Sequence, residues 1–164
     1  MRRRPLLSFL LIALPLPGAA QPGVDRPQPR LPTEELYILT RDGRRHRFVV
    51  EMAVDPAQQM IGLMFRPSIG PDEGMLFDWG SPRESSMWMR NTLVSLDMLF
   101  IAADGRIHRI AERAVPLSLE TISSRGPVRA TLELAAGTVE RLGIRVGDRV
   151  EHRIFNAAPA ASGR

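Results

Sequence analysis

Two Asp-Gly pairs, Asp42-Gly43 and Asp104-Gly105, constrain the fold of this chain more than any other feature. The first lies between the apolar runs Leu36–Thr40 and Arg47–Ala53, the second between Leu93–Ile101 and Ile107–Val115. Asp-Gly between two such runs is a strong hairpin signal, because both residues tolerate the positive φ that a tight antiparallel turn demands. Phe48, Val50 and Met52 alternate with Arg47, Val49 and Glu51, and Val128–Leu134 alternates strictly, which is the period of a half-buried strand. Further strands are expected at Met75–Trp79, Ser86–Met89 and Arg149–Phe155, with a Gly80-Ser81-Pro82 turn between the first two. Two short helices interrupt them. Asp55 caps one, with Pro56 at its first position and Met60, Ile61, Met64 and Phe65 as its apolar stripe. Thr138–Leu142 forms the other and stops at Gly143. About eight short strands at close intervals predict a mainly β fold, a jelly-roll-like β-sandwich or partly closed barrel with two short helices, rather than βαβ units.

The ends read differently. Arg2-Arg3-Arg4, the apolar run Leu6–Leu16 and the small residues Gly18-Ala19-Ala20 have the form of a signal peptide cleaved after Ala20. The run is about half of the roughly 20 residues that span a bilayer, so no stable membrane span is expected after cleavage. Residues 21–33 hold four prolines and read as an extended, disordered linker. Residues 34–156 form a single domain and 157–164 a flexible tail. Export predicts a periplasmic or secreted location.

Composition then removes whole classes of function. All 22 basic residues are arginine, and three leave with the signal, so 19 arginines face 18 acids. The one basic run, Arg44-Arg45-His46-Arg47, adjoins a turn, so nucleic acid is not an expected partner. With no cysteine there is no disulfide, thiol catalysis or thiolate metal site. His46, His108 and His152 lack metal-ligand spacing, and no motif calls for a cofactor. Seven methionines lie between Met52 and Met98, and Met87-x-Met89 could offer thioethers to Cu(I). Met60 and Met64, at i,i+4, read instead as core.

Two features remain. Asp97 lies between Leu96 and Met98, and Glu133 between Leu132 and Leu134. A carboxylate so placed must be paired or hydrogen-bonded, or else hold its proton. Arg66 and Arg90 are the expected partners of Asp97. The segment Met87-Trp88-Met89-Arg90-Asn91-Thr92 puts an indole, a guanidinium and an amide before a strand, a set that suits sugars or planar anions. A core plug, with Asn91 in a plain turn, is the competing reading.

Several ordered segments resemble a known family. They are Gly62-Leu63-Met64-Phe65-Arg66, Glu73-Gly74-Met75-Leu76-Phe77, Trp88-Met89-Arg90-Asn91-Thr92, Leu96-Asp97, Asp104-Gly105 and Gly126-Pro127 with Leu132-Glu133-Leu134. Together, from about Glu51 to Val150, they resemble the uncharacterised family numbered 192 among the domains of unknown function. The resemblance implies a mainly β, jelly-roll-like sandwich, often behind a signal peptide. Where the family usually carries lysine and proline, this chain has Arg90 and Ser95. The resemblance brings no activity and no catalytic residue with it.

Three functions are therefore open. The first is an exported binding or accessory module for a small polar ligand or envelope component, with Arg66, Trp88, Arg90, Asn91, Asp97 and Glu133 as candidate contacts. The second is a hydrolase of envelope carbohydrate with Asp97 and Glu133 as paired carboxylates, which would need to stand roughly 5–9.5 Å apart. The third is a structural or protein-interaction module. The oligomeric state is not fixed by the sequence.

Overall fold

The computed structural model describes residues 24–155. The expected signal peptide, the first residues of the linker and the tail lie outside them. One mixed sheet of seven strands makes the domain, in the order β5-β4-β6-β3-β2-β1-β7. The strands are β1 (Thr33–Leu39), β2 (Arg45–Ala53), β3 (Glu73–Met87), β4 (Leu96–Ile101), β5 (Ile107–Ala114), β6 (Ile122–Ala135) and β7 (Arg149–Glu151). Both Asp-Gly hairpins form, joining β1 to β2 and β4 to β5, with Gly43 and Gly105 at φ +84° and +82°.

The sheet curls until its edges meet at one end. Val150 N–H donates to the Gly105 carbonyl at 2.7 Å and Ile107 N–H to the Asp148 carbonyl at 2.9 Å. Glycine is required at 105 twice over. Its φ is positive, and a Cβ there would lie 2.6 Å from the Val150 carbonyl oxygen. The result is a partly closed barrel, mainly β with two short helices. Its interior is filled from every strand, by Leu36, Ile38, Phe48, Val50, Leu76, Leu99, Ile107, Leu132, Leu134 and Val150 among others. Helix α2 (Thr138–Leu142) contributes Val139 to the same core.

A second apolar cluster lies on the outer face of the sheet. Ala53, Met75, Phe77, Met98, Phe100 and Val128 form it, with Met87 from the end of β3 and Leu63 and Met89 packed over them from the connections. This layer exists because β2 and β3 pair in parallel, so the chain must cross back between them. That crossover carries helix α1 (Pro56–Ile61) and is the one unit here built like a βαβ connection. The capping box of α1 is complete, Asp55 accepting from Gln58 N–H and Gln58 from Asp55 N–H.

Five local expectations change. The strand expected at Arg149–Phe155 ends at Glu151, and Arg153–Phe155 forms a 3-10 turn that tucks Ile154 and Phe155 into the core. Helix α1 stops at Ile61 because Gly62 takes φ +51° against the Phe77 ring, so the helical stripe does not continue and Met60 stands exposed. Gly80-Ser81-Pro82 is not a turn but lies within the 15-residue β3, where the register with β6 shifts between Asp78 and Arg83. Leu93–Val94 precedes β4 rather than belonging to it. Finally, Gln28–Pro32 is extended, as its prolines require, but not free. Gln28 Nε2 donates to the Gly62 and Gln58 carbonyls, and Leu31 N–H donates to Glu51.

Candidate functional site

Strand register decides where the candidate residues go. Glu133 on β6 faces Met75 on β3 and Met98 on β4, so it belongs to the outer face. Asp97 faces Leu134 on β6 and so points with Leu99 and Ile101 into the barrel. The two carboxylates lie on opposite sides of one sheet, and a catalytic pair cannot be built from them.

Asp97 is fully buried and fully used. Its Oδ1 accepts from Arg113 N–H and its Oδ2 from Val139 N–H, both at 2.9 Å. Gly137, the N-cap of α2, has no side chain to offer, so Asp97 supplies that cap from a neighbouring strand. Arg113 sits at φ +51° where β5 slips against β4, and the same carboxylate holds it there. The expected arginine partners are therefore replaced by backbone N–H groups. Arg66 goes elsewhere, donating to Glu51 at 3.0 Å, while Glu51 also accepts from Arg30 and Leu31 N–H.

Glu133 is buried in a different way. Only 4% of it is exposed, and no described group donates to its carboxyl or pairs with it. Burial pushes the carboxyl up to about 8. It forms part of the wall of a cavity of about 450 Å³ between α1, the middle of β3 and Trp88. Phe77, Trp79, Leu63, Met64, Met87 and Trp88 supply apolar surface, while Ser85, Ser86, Thr92, Arg83, Glu84 and Gln59 supply polar groups. Trp79 Nε1 donates to Thr131 Oγ1 at 3.2 Å, and the Ser85 hydroxyl shares the same oxygen.

The Trp88–Thr92 segment divides. Met87 and Met89 are buried plugs of the outer core, whereas Trp88 between them is 46% exposed and lines the cavity. Arg90 lies over the Trp88 ring at 5.6 Å. Asn91 holds φ +55° in a tight turn closed by Thr92 N–H on the Met89 carbonyl, and its own carbonyl receives Phe65 N–H at 2.8 Å. Two of the sequence segments quoted above thus lie against each other. Of the six candidate residues, Trp88 and Glu133 meet at the cavity, and Arg90 flanks it. Arg66, Asn91 and Asp97 do not line it.

The sequence reading missed Trp79, Ser85, Arg83 and Thr131. Placing a turn at Gly80–Pro82 cut β3 in two and hid that both its halves wall one cavity. The face of Thr131 and Glu133, opposite Leu132 and Leu134, was the available signal. Among the described residues no group of three or more His, Asp or Glu is disposed to hold a metal ion, and no helix is long and apolar enough to cross a membrane.

The fold and cavity define a class of small, partly closed β-barrels with a roofed pocket on the outer face of the sheet. The family model DUF192, described as "Uncharacterized ACR", matches residues 37–152, and this chain belongs to that family. A crystal structure from Sinorhizobium meliloti, of a protein described as a candidate transcription regulator, is 51% identical with a TM-score of 0.76. The match covers 77% of this chain and 98% of that one. A protein of unknown function from Novosphingobium aromaticivorans is 40% identical with a TM-score of 0.72, over 74% of this chain and 86% of its own. No curated protein matches.

Proposed function

We propose that the chain is an exported binding module, and that the cavity beside Trp88 takes a small polar ligand or a fragment of the cell envelope. One observation carries the binding half: the largely buried Glu133 carboxyl meets no described donor or cation and borders the cavity. Folded proteins leave few buried polar groups unpaired, and an exception points to a functional role or to a bound water or ion. The volume falls within the roughly 300–1,000 Å³ of small-molecule sites, and polar and apolar groups share its wall. The export half rests on the basic, apolar and small-residue segments before Gln21. A regulator's contact with nucleic acid draws no support from charge. Arg44, Arg45 and Arg47 are each paired, with Asp42, Glu151 and Glu35.

The test uses protein recovered from the exported fraction. Its N-terminus should be Gln21, and full-length chain confined to the cytoplasm would overturn export. Thermal shift of that material against sugars, peptidoglycan fragments, amines and nucleotides should then find a ligand, worth about 2.7 kcal/mol at 100 times its Kd. Trp88→Ala should remove the shift. A ligand whose shift survives both Trp88→Ala and Glu133→Gln would place its site elsewhere.

A further inference from the structure

The polarity of this cavity narrows what can enter it. Around Glu133, β3 brings Met75 and Phe77, β4 brings Met98, and the Thr131 hydroxyl is engaged with Trp79 and Ser85. Helix α1 carries no charged residue. Glu51, one strand beyond Met75, is committed to Arg66, Arg30 and Leu31 N–H. The cations at the cavity stay at its mouth. Arg83 stacks over Trp79 at 4.5 Å and Arg90 over Trp88 at 5.6 Å, and neither forms an ion pair with Glu133. Glu84, also at the mouth, accepts from the Ser123 hydroxyl. The interior therefore combines one acid without a counter-charge, aromatic and thioether surface, and the neutral polar groups of Ser85, Ser86, Thr92 and Gln59.

That combination is complementary to a compact cation. Aromatic faces and polarizable sulfur tolerate positive charge, and the acid supplies the counter-ion. An anion would find no counter-charge in the interior, and a polyol would leave the acid without an ionic partner. Resting on the reading of this cavity as a ligand site, we propose that its ligand is a small organic amine, bound as the ammonium ion against the carboxylate of Glu133 with Trp79 and Trp88 beside it.

The proton balance follows. Without a counter-ion, burial holds the carboxyl protonated through neutral pH. An arriving ammonium ion keeps its own proton, so the Glu133 proton leaves to solvent. Each amine bound near pH 7 releases close to one proton.

Isothermal titration of the mature protein at pH 7, in two buffers of different ionisation enthalpy, measures that release directly. The probes are ethanolamine, putrescine and tetramethylammonium, with glucose and glycerol as neutral controls and acetate as the anion. The expected result is amine binding with close to one proton released. Glu133→Gln should abolish the release and weaken binding by about tenfold or more, the worth of a charge-assisted contact. Glucose or glycerol binding without proton release, yet lost in Trp88→Ala, would overturn the amine assignment while leaving the cavity a ligand site. Amine binding unchanged by both Glu133→Gln and Trp88→Ala would overturn the site itself, and so would no binding by any probe.

Discussion

Asp97 and Glu133 look alike in the sequence and end in opposite circumstances. Each is a lone acid between large apolar residues in a strand, and each is almost wholly buried. Asp97 turns into the barrel at the end where α2 enters, within reach of two backbone N–H groups that need an acceptor. Glu133 turns to the outer face, where methionines and a phenylalanine surround it and its side chain borders a cavity. Burial alone therefore does not tell a satisfied acid from an unsatisfied one. The number of donors each carboxyl meets does.

The largest effect should come from the satisfied acid. Asp97→Ala strands the N–H groups of Arg113 and Val139 in the interior, and each charge-assisted bond lost is worth roughly 1.5–3 kcal/mol. Urea denaturation should show a loss of about 3–5 kcal/mol, with Asp97→Asn losing less because one acceptor oxygen remains. A loss within about 0.5 kcal/mol, the norm for a surface site, would show that the comparison is drawn wrongly.

The unsatisfied acid should reveal itself through pH. Its folded-state value, about 8, lies above its ordinary 4.5. Below 4.5 both folded and unfolded carboxyls hold the proton and the shift has no effect. Between 4.5 and 8 only the folded state holds it, so stability falls as pH rises, by at most roughly 1.4 kcal/mol per unit, and levels off above. Stability curves from pH 5 to 8 should slope downward on the order of 2 kcal/mol in the wild type and flatten in Glu133→Gln. A wild-type curve as flat as that of the variant would mean that Glu133 has a counter-charge in solution, with Arg83 the candidate at hand.

What was legible divides along the same line as the two acids. Hairpins, helix caps and the mainly β character come from local chemistry: Asp42-Gly43, Asp104-Gly105, Asp55-Pro56 and Gly143 each dictate their own turn or cap. The parallel pairing of β2 with β3 does not, because nothing in either run states its partner. Without that pairing the outer layer is invisible, and so is the fact that Asp97 and Glu133 face apart. Local reading also cannot show that Arg66 is claimed by Glu51, fifteen residues earlier on another element. Trp88 and Glu133 stand out in the sequence as amphipathic or polar breaks in apolar runs; their meeting at one cavity is a tertiary fact.

The smallest effect should come from Asn91, in the turn that roofs the Glu133 side of the sheet. Its φ of +55° belongs to the left-handed region, where asparagine is among the few tolerated residues and glycine fits without cost. Its amide reaches only the Met64 sulfur, at 3.9 Å, a weak contact to lose. Asn91→Gly should therefore stay within about 0.5 kcal/mol of wild type, while Asn91→Val, β-branched at the same φ, should lose on the order of 1–3 kcal/mol. Since Asn91 is absent from the cavity wall, its glycine variant should also bind the cavity's ligand as the wild type does. Loss of binding at unchanged melting temperature would mean that the site extends past Trp88 along the turn. The unsatisfied region would then be larger than one carboxyl.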